Sequence, residues 1–380
     1  MGIERIILRK VRVKMKNPFR TSFSSQQTRE LYVVEVIDKN NLSGWCESVA
    51  GMYPWYSEET TESVRHIIED ILVPLMRKSV ITHPKEVSNI FSVVRGNNMA
   101  KAVVEGAVWD LFSKQQGISL AQAIGGTKKE VEVGVSIGLQ DDVQKTLSLI
   151  AMYMKEGYKR VKLKIEPGND VELVQAVREV FPDIQLMVDA NSAYALEDAS
   201  QLAKLDHYNL TMIEQPLAYN DIFDHADLQK ELKTPLCLDE SLHSLDDVIK
   251  AYKLNKNLIV NLKIGRVGGI TESLKIHDYC LAHNIPMWCG GMLELGIGRA
   301  HNIAMTTLPA FTLPGDTAAS SNYWLEDIIE PEVIVEDGII KVPTTPGIGY
   351  AVNYEKLKAV TISEKVLSVV DEKSSYSALS

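Results

Sequence analysis

Five charged side chains in the middle of the chain fall on a regular interval, and a sixth stands beside the first. Lys164, Asp189, Glu214, Asp239 and Lys263 succeed one another at spacings of 25, 25, 25 and 24 residues, and Lys162 stands two positions before the first. Each lies at or near the end of a short apolar run: Arg160 to Ile165, Ile184 to Asp189, Leu210 to Glu214, Pro235 to Asp239 and Leu258 to Lys263. Such an interval holds one strand and one helix. It places all five at one level of a parallel barrel, on the carboxyl-terminal rim where barrel enzymes carry their sites. Lys162 and Lys164 point the same way because side chains alternate along a strand with period two. Taken singly, each has a structural explanation. Asp189 with Asn191, and Asp239 with Ser241, could cap the helices that follow. Lys162 and Lys164 could be solvated lysines of an edge strand, and Lys263 could form a Schiff base. Glu214 precedes Gln215-Pro216, where no helix starts at once, so capping explains it poorly.

Together they describe chemistry. Three adjacent carboxylates without clustered His or Cys make a hard oxygen site, suited to Mg²⁺, with Mn²⁺ as the alternative, and poorly suited to zinc. Strands two and six of an eight-stranded ring are opposed, so Lys164 and Lys263 face each other across a bound substrate. Two bases on opposite faces of one carbon serve proton abstraction and return. Positive charge from the metal and from Lys162 is expected to lower a lysine's pKa toward neutrality. The metal would stabilise the enediolate formed when a proton leaves the carbon beside a carboxylate.

The elements that must position these groups can be read outward from them. Eight apolar runs follow Gly125-Gly126: the five above, Val131 to Gly138 before them, and Ile285 to Gly291 and Ala310 to Pro314 after them. Helix-length connections follow the first seven. Strands of this kind are buried on both faces, which indicates a (β/α)8 barrel, with an open doubly wound sheet as the alternative. Before the barrel, residues 3–14, 30–38 and 42–49 read as a small antiparallel sheet with a turn at Lys39-Asn40-Asn41. Segments 57–76, 85–97 and 99–116 read as helices, the first capped by Ser57. After it, Asp337-Gly338 signals a hairpin between 333–335 and 339–342, followed by a polar end that frays. The expected division is an α+β capping domain at 1–127, a catalytic barrel at 128–320, and a segment at 321–380 that returns to the capping domain. A chain of 380 residues with 45% hydrophobic and 24% charged side chains has the usual globular balance. Its net charge of −10 disfavours nucleic acid as a partner. Neither a signal-peptide core nor a run of about 20 apolar residues is found, so no membrane association is expected. Four cysteines without CxxC spacing suit a reducing, cytoplasmic setting.

Lys162-Leu-Lys164, Asp189-Ala-Asn191, Ile213-Glu-Gln-Pro216, Asp239-Glu240-Ser241 and Asn261-Leu-Lys263 resemble the muconate-cycloisomerase-like branch of the enolase superfamily, in which a Lys or His base works with Mg²⁺. A histidine base on strand seven would indicate the mandelate-racemase branch; here that strand ends in Cys289-Gly-Gly-Met292. Within the branch, residues 161–168 (VKLKIEPG), Gly265-Arg266-Val267-Gly268-Gly269, residues 288–294 (WCGGMLE) and Leu313-Pro-Gly-Asp316 are most similar to o-succinylbenzoate synthases that are close kin of N-succinylamino acid racemases. Ile264 departs from the proline that relatives often carry there. The resemblance implies an enolase-type modified (β/α)8 TIM barrel with an N-terminal α+β capping domain completed by the C-terminal tail, Mg²⁺ held by Asp189, Glu214 and Asp239, Lys164 and Lys263 as the acid/base pair, and Lys162 as electrostatic support. It implies dehydration of 2-succinyl-6-hydroxy-2,4-cyclohexadiene-1-carboxylate in menaquinone biosynthesis, with N-acylamino acid racemisation or dipeptide epimerisation as the alternative. A catalytically silent, metal-dependent binding scaffold is the alternative of another class. A small carboxylate substrate and a homo-oligomeric assembly are expected.

Around this centre the resemblance places Asn191, Ser136, Gly291 and Met292 against the substrate. Phe19, Arg20 and Phe23 lie in a Ser-rich connection, and residues 51–56 (GMYPWY) form an aromatic loop. Both sets, with Tyr56 in the second, read either as local packing or as a lid over the substrate. Arg266 reads either as a partner for a second substrate carboxylate or as a brace of its own loop. Gly296-Ile-Gly298 is half a dinucleotide fingerprint and serves as a turn into a helix. The eight histidines show no HxH or HExxH spacing.

Overall fold

The computed structural model describes residues 1–22 and 24–370, and Phe23 lies outside the described residues. Three antiparallel strands come first: β1 (Ile3–Arg20), β2 (Ser25–Asp38) and β3 (Ser43–Glu47). Even-numbered side chains of β1 and β2, among them Ile6, Leu8, Val34 and Val36, pack on the helices that follow. Odd-numbered ones, including Val11, Val13, Leu31 and Val33, join the barrel's own core. The near-continuous apolar run of β2 follows from this burial on both faces.

The helices are α1 (Thr61–Ile67), α2 (Val73–Arg77), α3 (Pro84–Phe91), α4 (Asn98–Gln115) and the short α5 (Leu120–Ala123), with a π-helical turn at Ile68–Leu72 joining α1 to α2. Helix α1 starts four residues later than the expected Ser57 cap. Thr60 caps it instead, accepting from Ser63 N at 3.2 Å, while Ser63 Oγ accepts from Thr60 N at 2.8 Å. The residues before it stay in a loop in which the Glu59 carboxylate accepts from Met99 N and Ala100 N, at the start of α4.

Strand β4 (Glu130–Glu132) precedes a seven-stranded parallel sheet made by β5 (Val135–Ile137), β6 (Val161–Lys164), β7 (Leu186–Asp189), β8 (Ile213–Glu214), β9 (Leu236–Leu238), β10 (Ile259–Leu262) and β11 (Met287–Cys289), paired in chain order. Helices alternate with them: α6 (Val143–Lys155), α7 (Val171–Val180), α8 (Ala199–Leu202), α9 (Phe223–Glu231), α10 (Leu245–Leu254), α11 (Ile264–Val267), α12 (Ile270–His283) and α13 (Gly296–Thr306).

Two expected strands take a different form. Val131 to Gly138 breaks at Gly134: Val131 pairs antiparallel with Ile340, and only Val135 onward joins the barrel. Ala310 to Pro314 forms no regular strand. The segment still bridges the ends of the sheet, through Met287 and Phe311 on one side and Val133 and Gly315 on the other. Pro309 and Pro314 lack the N–H groups that a regular ladder needs.

The tail returns to the first sheet. After β12 (Ile329–Glu330), β13 (Ile339–Lys341), β14 (Ala351–Val352) and α14 (Tyr354–Val360), strand β15 (Thr361–Ser368) pairs antiparallel with β1, giving the order β15-β1-β2-β3. The turn at Asp337-Gly338 forms, with both residues at positive φ. Its expected hairpin does not, because β13 pairs with β4 and residues 333–335 are not a strand.

Candidate active site

Strand parity decides what enters the barrel. On β6, Val161 and Leu163 face the helices while Lys162 and Lys164 face inward. The same alternation turns Met187 and Asp189, Met212 and Glu214, Cys237 and Asp239, and Asn261 and Lys263 toward the interior. Met187, Met212, Cys237, Ile259 and Trp288 form a separate apolar cluster. Above it lies a charged layer whose members are at most 7% exposed. Asp189 is in register with Lys164 on one side and Glu214 on the other.

Every carboxylate in this layer faces a cation. Lys164 Nζ lies 2.6 Å from Asp189 Oδ2 and donates to Asn191 Oδ1 at 2.6 Å. Lys162 Nζ lies 2.6 Å from Asp316, 3.2 Å from Glu214 and 3.4 Å from Asp189. On the far side Lys263 Nζ lies 2.7 Å from Asp239 Oδ2, and Arg266 also pairs with Asp239. The sheet order sets β6 four strands from β10, so the two lysine groups approach the interior from opposite walls. Lys162 rests over the Trp288 ring, with Nζ 4.7 Å from its centroid.

The electrostatics follow from burial in competition with these partners. Burial works against the charge on Lys263, but Asp239 outweighs it and holds the ammonium above its ordinary range. Lys162 is likewise held up, against burial, by Asp316, Glu214 and Asp189. Among the protein's own groups, anionic partners stand nearer to these two lysines than other cations do, and a divalent ion drawing on the same carboxylates would act in the opposite sense. Glu214 is pushed well up by burial and by Asp189, and Glu240 up to about 8 by burial and Asp239. Asp239 is held low against burial by Lys263 and Arg266.

Among the described residues, no three His, Cys, Asp or Glu side chains converge as a ready-made metal cage. Asp189, Glu214 and Asp239 sit side by side, each turned to an ammonium or guanidinium. The donor set nevertheless fits a hard divalent cation. Three buried carboxylates repel one another there, as the raised Glu214 records, and Glu240 Oε2 and Asn261 Oδ1 are buried with no hydrogen-bond partner.

A cavity of about 370 Å³ opens above the layer. Lys164, Lys263, Asn191, Gly291 and Met292 line it from the barrel, and Phe19, Arg29, Trp55 and Tyr56 line it from the cap. Tyr56 OH donates to Asp239 Oδ1 at 3.0 Å and accepts from Lys263 at 3.1 Å. A smaller cavity of about 60 Å³ is lined by Ser136, Lys162 and Asp316, with Phe19, Lys164 and Lys263 shared between the two. Ser136 Oγ is buried there without a partner.

Arg266 is turned away from the main cavity. Its guanidinium donates to Leu242 O, Asn261 O and Tyr56 OH and pairs with Asp239, so the bracing role fits its contacts and the substrate-carboxylate role does not. Arg29 is the residue that sequence reasoning missed. Its signal was parity: Arg29, Leu31 and Val33 share one strand face, and a cation on an apolar face needs a reason. Asp316 was legible only as part of a motif, because its pairing with Lys162 and Arg160 spans the last turn of the barrel.

Comparison with known proteins agrees with this geometry. Residues 3–125 match the family described as mandelate racemase / muconate lactonizing enzyme, N-terminal domain, and residues 145–357 match the enolase C-terminal domain-like family. An o-succinylbenzoate synthase of Geobacillus stearothermophilus is 56% identical over 366 residues, covering 96% of this chain and 98% of its own length. An N-succinylamino acid racemase of Thermus thermophilus is 43% identical over 368 residues, covering 97% of this chain and 100% of its own. A crystal structure of an enolase-superfamily member from Listeria innocua superposes with a TM-score of 0.94 at 45% identity, covering 97% of this chain and 100% of that one.

Proposed function

Because the chain belongs to the enolase superfamily, in its mandelate racemase / muconate lactonizing group, we propose that it is an o-succinylbenzoate synthase, a carbon–oxygen lyase acting on a succinyl-bearing cyclohexadiene carboxylate. The observation that carries this reading is the opposed pair Lys164 and Lys263, both in the wall of one cavity above three buried carboxylates. Identity of 56% to a synthase over 96% of the chain supports the choice of reaction.

In this reading Asp189, Glu214 and Asp239 hold Mg²⁺, with Mn²⁺ as a substitute, and the bound ion supplies Lewis-acid charge to the substrate carboxylate. Lys164 removes the proton from the ring carbon beside that carboxylate. It returns the proton to the hydroxyl leaving the neighbouring carbon on the same face, so water departs in the syn sense and the ring becomes aromatic. Lys263 and Lys162 remain ammonium groups and offset the negative charge that develops. Asn191 orients Lys164 through its 2.6 Å contact, and Phe19, Tyr56, Gly291 and Met292 enclose the substrate.

A second reading, racemisation of N-succinylamino acids, is favoured by the 43% identical racemase and uses the same residues. Lys164 and Lys263 then exchange roles across the two faces of the α-carbon. The deciding experiment measures kcat/KM for the cyclohexadiene precursor and for N-succinylamino acids on one preparation. Turnover of neither, with no α-proton exchange in D₂O, would leave only a binding scaffold. The place in menaquinone biosynthesis belongs to the same reading, and deletion of the gene with menaquinone analysis tests it. The reading also takes the chain as a cytoplasmic homo-oligomer. No helix of the described residues is long and apolar enough to cross a membrane, and all four cysteines are buried thiols. Light scattering of the purified chain decides the assembly.

A further inference from the structure

Arg29 is 4% exposed, on the face of β2 that packs toward the barrel. Its guanidinium makes one hydrogen bond, from Nη2 to Val49 O at 2.7 Å. Nε is buried with no partner, and among the described residues no carboxylate stands within ion-pairing reach. Glu294 and Glu47 act on it only at longer range, against a burial that works to discharge it. A buried guanidinium without a counter-ion is costly, and the cost is removed when an anion arrives. Arg29 lies in the wall of the same cavity as Lys164 and Lys263.

The other cations around the site are engaged. Lys162, Lys164 and Lys263 face carboxylates, Arg160 pairs with Asp316, and Arg266 has its donors on Asp239, Tyr56 and two carbonyls. Arg299 donates to the carbonyls of Glu294 and Ala318, and Arg20 pairs with Asp141. A substrate with a succinyl arm brings two carboxylates. One belongs beside the carboxylate layer and the two lysines. The other must meet the opposite wall, which the cap supplies.

We propose that Arg29 binds the distal carboxylate of the succinyl arm and is therefore the residue that makes the enzyme prefer succinyl-bearing substrates. The proposal rests on the reading of the chain as an enzyme of succinyl-bearing carboxylates. A planar guanidinium with free donors matches a carboxylate edge, and lysine would offer the charge without the fork. A site built to hydrogen-bond a charged group also rejects the analogue that lacks it, because its own donors are then left unpaired.

The test compares N-succinyl with N-butanoyl derivatives of one amino acid, which share chain length and differ in the terminal carboxylate. In wild type the succinyl compound should be preferred in kcat/KM by about a hundredfold. In Arg29→Met that ratio should fall at least tenfold, with the change in KM exceeding the change in kcat, and Arg29→Lys should fall between. Equal fractional losses for both acyl groups, or an unchanged ratio, would overturn the proposal and leave Arg29 a packing residue. Should Arg29→Met fail to fold, Arg29→Lys and a wild-type comparison of succinyl with neutral succinamoyl decide the matter; absence of a preference there overturns it. If wild type turns over neither acyl compound nor the cyclohexadiene precursor, the functional reading fails separately. Calorimetric binding of N-succinylglycine and N-butanoylglycine to wild type and Arg29→Lys then still reads Arg29: a preference for succinyl that the variant weakens supports it, and no preference overturns it.

Discussion

At Glu214, burial and the neighbouring Asp189 both work against ionisation, and Lys162 only partly offsets them. A carboxylate so placed is held for chemistry rather than for stability. Glu214→Gln keeps the volume and relieves the repulsion. Its melting temperature should equal or exceed that of wild type, while activity drops on the order of a thousandfold; full activity in this variant would sink the metal assignment. The lysines permit a sharper test. Lys164 and Lys263 reach the cavity from opposite walls, so Lys164→Ala and Lys263→Ala should each exchange the α-proton of one enantiomer of an N-succinylamino acid, and of opposite enantiomers. NMR of deuterium incorporation reads this, and a shared preference contradicts the two-face geometry. Arg266 touches Asp239 and Tyr56, the two groups that also hold Lys263. Racemisation needs Lys263 to move a proton, whereas dehydration needs only its charge. Arg266→Gln should therefore harm racemisation more than dehydration, by about tenfold in kcat/KM. Glu214, Lys164 and Lys263 were legible in sequence because each closes an apolar run at a fixed interval. Arg29 and Asp316 were not, since their roles depend on which distant segment lies opposite.

Among the elements, the β1–β2 hairpin does most to shape the cavity, and the barrel fixes where its tip lies. Arg20 O accepts from Leu139 N at 3.1 Å, just beyond β5, and Arg20 pairs with Asp141. Gly138 makes this approach possible. A Cβ there would lie 2.8 Å from Arg20 O and 3.1 Å from Arg20 N, both backbone atoms that cannot swing aside. Gly138→Ala should push the tip outward, and Phe19 with it. KM is expected to rise several-fold with kcat nearly unchanged, and stability should fall by only about 1 kcal/mol, the worth of one hydrogen bond. A parallel loss in kcat would show that the tip's position matters to the chemistry itself. The same neighbourhood explains what sequence periodicity misread. Apolar alternation runs through Gly134 without a break, but Val131 serves one sheet and Val135 another. Likewise Ala310 to Pro314 has the composition of a strand, and its prolines reduce it to isolated bridges.

Across the whole molecule, cap and barrel are held together by polar side chains that reach into the ends of barrel helices. Asn98 donates to His243 O and Arg266 O, Glu105 accepts from Thr271 N at the start of α12, and Glu47 accepts from Leu295 N before α13. None of these contacts is visible in periodicity, which locates Glu47 and Glu105 on a strand and a helix without saying what they face. They have a consequence for stability. Burial, assisted by Glu294, pushes the Glu47 carboxyl from its ordinary 4.5 up to about 8, and burial pushes Glu105 up to about 7. Between pH 4.5 and these values the unfolded chain has released protons that the folded chain retains, so the unfolded state binds fewer protons and stability falls as pH rises. Each group adds a slope of at most about 1.4 kcal/mol per pH unit. The contribution of Glu47 ends near pH 8, where the folded carboxyl ionises as well. In Glu47→Gln the amide oxygen still accepts from Leu295 N and nothing titrates. Its urea midpoint should therefore match or fall slightly below wild type near pH 4.5 and exceed it at pH 8, the two curves crossing between. Glu105→Gln should behave likewise, with its gain complete about one pH unit lower. Parallel curves from pH 4.5 to 8 would mean that both carboxyls ionise freely in the folded chain, and that the interface between cap and barrel is wetter than its burial implies.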